Sequence, residues 1–214
     1  MSRVASEELD FPVGITVRQF EQMRRRVTGA LPQAGAVFEP SPTTRPARHE
    51  TILGIDPSLR GTGYGVIRMA KPYPQALAQG TIHCPPNWDR SRCLVRIAEA
   101  VRDLLKQHRA TVCVVEGLFY AQNLQTALLM GEARGASLVA AGEAGLEIYE
   151  MAPRKVKQAI VGYGAAQKIA VAKMVQRLLR LHAPPAPDAA DALALALAFT
   201  RENGRLTLNP LKRI

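Results

Sequence analysis

The sequence predicts an α/β domain built as a mixed sheet flanked by helices. Three observations carry that prediction. "TILGID" and "GYGVIRMA" are β-patterned segments separated only by the short turn "PSLRGT", the signature of adjacent antiparallel strands. Further along, short apolar runs alternate with longer stretches of helical period, which packs helices against a sheet. The hydrophobic share, 47% of 214 residues, supplies a sizeable core for one domain plus an appendage, or for two small domains.

Residues 1–50 stand apart from this pattern. "TVRQFEQMRRRV" (Thr16 to Val27) predicts a short basic helix, and "LPQAGAVFEPSPTTRPARHE" carries four prolines with little periodicity, the composition of a linker. Glu7, Glu8, Asp10 and Glu21 argue against a transit peptide, which is poor in acids. The expectation is a flexible N-terminal extension at 1–50, an ordered domain at 51–201 and a basic C-terminal tail at 202–214.

Within the domain, "QALAQGTIHC" predicts a third strand. "SRCLVRIAEAVRDLLKQH" places Leu94, Ile97, Ala98, Val101, Leu104 and Leu105 at helical spacing, with Arg92, Arg96, Arg102 and Lys106 on the solvated face. "TVCVVEG" is a continuously apolar strand ending in Glu116. A helix over Leu124 to Gly142, a strand in "LEIYEM" and helices over Arg154 to Val161 and Gln167 to Leu181 follow. Pro184, Pro185 and Pro187 interrupt the pattern before a last helix from Asp188 to about Arg201. No internal repeat is visible.

Lys and Arg number 28 against 18 Asp and Glu, a net charge of +10. That excess points to a polyanionic partner, with nucleic acid ahead of a membrane surface; the ordinary alternative is a basic protein with no such partner. Cys84, Cys93 and Cys113 are odd in number and lack C-x-x-C spacing, which argues against a disulfide framework or a structural zinc site. No apolar run approaches the roughly 20 residues of a membrane span, and the N-terminus has no secretory pattern. A reducing cytoplasm is the expected compartment, without membrane association.

Four acids stand out. Asp56 ends the first strand, Glu116 ends "TVCVV", and Asp188 and Asp191 open the last helix three residues apart, on one face. Each has an ordinary structural explanation. Asp188 can be an N-cap, Asp191 can favour the positive helix end, Glu116 can be a plain strand end, and Asp56 can anchor the following turn as an Asx cap. Together, in a basic chain, they form the pattern of a divalent-metal cluster, because hard cations take oxygen ligands and leave positions for water and phosphate. Two such cations about 4 Å apart activate a water and stabilise the leaving oxygen of a phosphodiester. Carboxylates held close repel one another, and a cation makes their proximity tolerable.

Four motifs in order, "ILGIDPSLRGTGYGVI", "VVEGLFYAQN" followed by "GEARGA", "PRKVKQAIVGYGAAQK" and "PDAADALALA", give the segment from Thr51 to about Arg201 a further identity. It resembles the RuvC family of bacterial Holliday junction resolvases. The resemblance covers roughly three quarters of the chain, and it implies a ribonuclease-H-like fold and a crossover junction endodeoxyribonuclease. By position, Asp56, Glu116, Asp188 and Asp191 match the family's catalytic, metal-binding acids. Phe119 matches the aromatic that enters the junction near the exchange point. Tyr120, Asn123, Lys157 and Lys168 fall at the family's DNA-binding positions.

The resemblance also implies two Mg2+ ions per site, with Mn2+ able to substitute, and four-way junction DNA as substrate. A homodimer making paired symmetric nicks in recombination and repair is part of it, as is a branch-migration motor complex, RuvA and RuvB, as partner. The helix from Leu124 to Gly142 is the candidate dimer interface through Ala127, Leu128, Ala133, Ala136 and Ala140. Three departures stand against the family pattern: Ser58 where Gly follows the Asp-Pro, Gly117 where Gln is common, and Gln122 where a basic residue is common. A φ above zero at position 58 would strain Ser.

Taken without the resemblance, Phe119 is an aromatic in a stretch too polar for a central strand, free to stack on splayed bases, or else a core residue. Lys157 and Lys168 would be ordinary solvated lysines. Two other functions compete with the nuclease. An actin-like or sugar-kinase ATPase also opens with a strand, an acid and glycines, but no second glycine-rich phosphate loop is present. A nuclease-inactive binder of branched DNA would have no need of four acids.

Overall fold

The computed structural model describes residues 49–117, 124–202 and 211–214. All but the last two residues of the 1–50 extension lie outside them, as do Phe119, Tyr120, Gln122 and Asn123. The elements follow in the order β1 (Thr51–Asp56), β2 (Gly61–Arg68), β3 (Gln75–His83), α1 (Arg90–His108), β4 (Val112–Glu116), α2 (Leu124–Glu143), β5 (Glu147–Met151), α3 (Pro153–Val161), α4 (Lys168–Leu179), α5 (Pro187–Glu202) and β6 (Lys212–Arg213). Expected and observed boundaries agree to within about two residues for every helix and strand predicted from the domain sequence.

One six-stranded sheet runs in the order β3-β2-β1-β4-β5-β6. The first three strands form an antiparallel meander, while β1, β4 and β5 pair in parallel. Lys212–Arg213, expected to be tail, instead adds a short antiparallel edge strand beside Tyr149 and Glu150. Two residues are too few for periodicity to register, so a strand defined only by its partner escapes sequence reading.

Successive side chains of a strand point to opposite faces, and this divides the core in two. Leu53, Ile55, Val66, Cys113, Val115 and Ile148 pack beneath α1 and α2. Ile52, Ile67, Val112, Val114 and Met151 pack beneath α3, α4 and α5. Helix α5 is apolar on nearly every side, with Ala189, Ala190 and Ala192 through Phe199 buried; such a helix belongs inside the molecule. It lies against β1 and β2 and is covered in turn by α3 and α4.

The small residues around Asp56 exist for α5. A Cβ on Gly54 would fall 2.0 Å from the Ala192 carbonyl oxygen, one on Gly63 would fall 2.2 Å from that of Asp188, and one on Gly65 would fall 2.7 Å from Leu193 Cδ2. Heavy atoms cannot approach so closely, so only glycine lets the helix backbone rest directly on these two strands.

Two sequence expectations are corrected here. Ser58 is not strained: the non-glycine residues with positive φ, among those described, are Arg109 and Arg180, each ending a helix. The turn is closed by Thr62 instead, whose buried hydroxyl donates to the Ser58 carbonyl at 2.6 Å and accepts from its N–H at 3.3 Å. The α2 face proposed for dimer contact also divides differently. Ala133 and Ala140 are fully buried in the protomer's own core, while Leu124, Leu128 and Val139 are exposed. Helical spacing alone does not tell which of two apolar stripes faces inward. Arg102 lies on the solvated face as expected and pairs there with Glu143 of α2 at 2.7 Å. No helix among the described residues is long and apolar enough to cross a membrane.

Candidate active site

The strand pleat sets the first two acids. Asp56 shares its parity with Ile52 and Gly54, and Glu116 with Val112 and Val114, so both project from the face that α5 covers. Strands β1 and β4 are parallel neighbours in register through Ile55–Val115, which leaves Asp56 and Glu116 side by side at the strand ends. Their carboxyl groups meet within hydrogen-bonding reach. Burial, then the neighbouring Glu116 and Asp191 carboxylates, push the Asp56 carboxyl up to about 8 from its ordinary 3.8. Glu116 is raised too, with burial the largest cause. Desolvation penalises the charged form, and a second acid beside it compounds the penalty.

The other two acids arrive on α5. Because Gly63 admits the backbone of Asp188, the first turn of the helix lies over β2 and its carboxylates reach the same face. Asp188 is half-buried, and its Oδ2 accepts from Thr81 Oγ1 on β3 at 3.3 Å. It is therefore a first-turn residue held by a strand hydroxyl rather than the N-cap that a bland reading allows. One turn on, Asp191 Oδ2 accepts from Lys168 Nζ at 2.6 Å. The Asx-cap reading of Asp56 also gives way, since Thr62 closes that turn and Asp56 faces Glu116.

Both lysines named from the sequence lie beside the acids. Lys168 opens α4, and its charge acts on Asp56 and Glu116 as well as on its direct partner Asp191. Lys157, half-buried on α3, acts on Glu116. Phe119, Tyr120 and Asn123 fall outside the described residues. Among the described residues, no group of three or more His, Cys, Asp or Glu side chains is arranged to hold a metal ion. Asp56 and Glu116 are in contact, while Asp191 and Asp188 are engaged by Lys168 and Thr81.

Sequence reasoning passed over a second group of charges on the far side of Glu116. Arg134 of α2 donates from Nε to the Glu116 backbone carbonyl at 3.4 Å and pairs through its guanidinium with Glu150 of β5. Glu150 in turn accepts from Lys212 Nζ of β6 at 2.9 Å. The signal for Arg134 was present in "GEARGA", but its partners are distant in sequence and nothing local pairs them.

The family model for crossover junction endodeoxyribonuclease RuvC matches residues 52–199. The RuvC of Alkalilimnicola ehrlichii is 49% identical over 153 residues, covering 71% of this chain and 91% of that protein. The RuvC of Halorhodospira halophila is 45% identical over 146 residues, covering 68% and 87%. Among solved structures, Thermus thermophilus RuvC in complex with Holliday junction substrate superposes with a TM-score of 0.70 at 33% identity, covering 78% of this chain and 100% of that one.

Proposed function

This chain belongs to the RuvC family of crossover junction endodeoxyribonucleases, and from that premise we propose that it resolves Holliday junctions at a site built from Asp56, Glu116, Asp188 and Asp191. The carrying observation is the convergence of both strand-end acids and the first turn of α5 on one face of the sheet. The chain's net charge of +10 suits a polyanionic substrate.

Dependence on a divalent cation is general to the family, and the donor set fits one. All four groups are hard oxygen donors. The buried Asp56–Glu116 contact, unfavourable for two charged carboxylates, is what a cation would relieve. We propose Mg2+, two ions per site, with Mn2+ able to replace it. When bound, such ions supply Lewis acidity for the attacking water and the leaving oxygen.

The chain's own residues do the rest. Asp56 and Glu116 fix the floor of the site from the rigid strand ends, and Asp188 and Asp191 close it from the helix. Thr81 fixes the Asp188 carboxylate. Lys168, tied to Asp191, offsets the acids' charge and offers a cation to an incoming phosphate. Lys157 extends that positive edge, and Phe119, Tyr120 and Asn123 are proposed junction contacts.

Paired symmetric nicks need two such sites, so a two-fold homodimer belongs to the proposal. Leu124, Leu128 and Val139 are the exposed apolar residues of α2 that would serve it. Action in the cytoplasm together with a RuvA and RuvB motor completes the reading. The test is to map the products of a synthetic four-way junction and of a linear duplex, with Mg2+ and with chelator. Mg2+-dependent symmetric nicks confined to the junction are expected. Junction binding without nicking would move the assignment to a nuclease-inactive branched-DNA binder.

A further inference from the structure

Glu116 stands where β4 runs out of support. The β1–β4 register ends at Ile55–Val115, and beyond Asp56 comes Pro57, which has no N–H with which to continue a ladder. On the β5 side the last bond runs from Gly117 N to the Met151 carbonyl at 2.9 Å. The Glu116 carbonyl is taken up by Arg134 Nε at 3.4 Å. A backbone oxygen at a half-buried strand end needs such a donor.

The guanidinium is itself fixed. Its side chain is 15% exposed, it pairs with Glu150, and Lys212 Nζ binds the other Glu150 oxygen at 2.9 Å. Glu150 also fills the space beside Gly117, where a Cβ would stand 3.2 Å from Glu150 Cγ. The clamp thus joins α2, β5 and β6 to the two residues at which β4 leaves the sheet.

We propose that Arg134 is a positioning residue for the nuclease reaction: held by Glu150, it fixes the main chain of Glu116 and so the direction in which the Glu116 carboxyl is offered to the metal. Its contact with Glu116 is to the backbone carbonyl, so it acts through the main chain. The inference rests on the reading of Glu116 as a metal-holding acid.

The test compares Arg134→Gln, Arg134→Lys and Glu150→Gln with the unmodified protein and with Glu116→Gln. Three quantities are read: the Mg2+ midpoint of junction nicking, the Mg2+ midpoint of the rise in Tm, and junction affinity in chelator. Arg134→Gln should raise both midpoints roughly tenfold, the lower end of what removing a supporting group costs a metal site, with junction affinity within about twofold. Arg134→Lys should shift them in the same direction and decides the matter if Arg134→Gln does not fold. Glu150→Gln, which leaves the Nε–carbonyl bond, should shift them less. Unchanged midpoints in the folded Arg134 variant overturn the proposal, and so does a Glu150→Gln effect as large as that of Arg134→Gln. If Glu116→Gln leaves nicking and both midpoints unchanged, the site reading falls and this inference with it.

Discussion

Gly63 of β2 lies so close beneath Asp188 of α5 that a Cβ on it would stand 2.2 Å from the Asp188 carbonyl oxygen. Gly63→Ala should therefore lift the first turn of α5 and carry Asp188 and Asp191 away from Asp56. Gly54→Ala, aimed at Ala192, should act alike. Overpacking of this kind costs about 1–3 kcal/mol or more. Nicking should fall far more than the change in Tm accounts for. Gly135→Ala on α2, where nothing lies within 4 Å, serves as the contrast and should raise stability by up to about 1 kcal/mol. Thermal melts and nicking rates of the three variants check this together.

Replacing an acid by its amide removes a metal-holding charge without changing shape. Asp56→Asn and Glu116→Gln should each lower nicking by more than the roughly 10–100-fold that removal of a supporting group costs. Junction affinity, measured by gel shift in chelator, should hold or increase as phosphate repulsion falls. Near-normal nicking by either variant would remove that acid from the site.

The buried acid pair also sets a pH dependence for the metal-free protein. Asp56 releases its proton near 3.8 when unfolded and near 8 when folded. Between those values the native state binds more protons, so stability falls as pH rises. The contribution is whole below 3.8 and gone above 8, and the raised Glu116 acts in the same sense. In chelator, Asp56→Asn should melt close to the unmodified protein at pH 4 and several °C above it at pH 8.5, on a scale of about 2–4 °C per kcal/mol. Parallel melting curves across that range would mean that the two acids do not share a buried contact.

Lys157 and Lys168 should report on DNA by salt. Each phosphate that the protein no longer neutralises flattens the slope of log affinity against log salt by about one. Lys157→Ala and Lys168→Ala should each show that change. Lys168→Ala should in addition slow nicking of bound junction, because it frees Asp191. Unchanged slopes would leave both as surface lysines.

Much of this was legible in the sequence, for physical reasons. Asp56, Glu116, Asp188 and Asp191 could be singled out because charge is costly at strand ends and helix starts amid apolar residues. Strand parity puts two of them on one face only once the parallel β1–β4 register is known. What could not be read was which helix covers that face. Gly54, Gly63 and Gly65 lie within the two strands, and the reason for glycine there shows only when α5 is laid over them. The hidden facts are all long-range: Thr81 on Asp188, the division of α2 into buried and exposed stripes, the edge strand at Lys212, and the Arg134–Glu150 clamp.

The central claim is that strand and helix acids together hold the metal. Its most direct test is anomalous scattering from crystals grown with Mn2+. The account predicts a peak against Asp56 and Glu116 at about 2.0–2.2 Å, a typical metal–oxygen distance, with a carboxylate of α5 completing the set, and no peak in Asp56→Asn. A peak elsewhere on the protein, or one that survives Asp56→Asn unchanged, would contradict it.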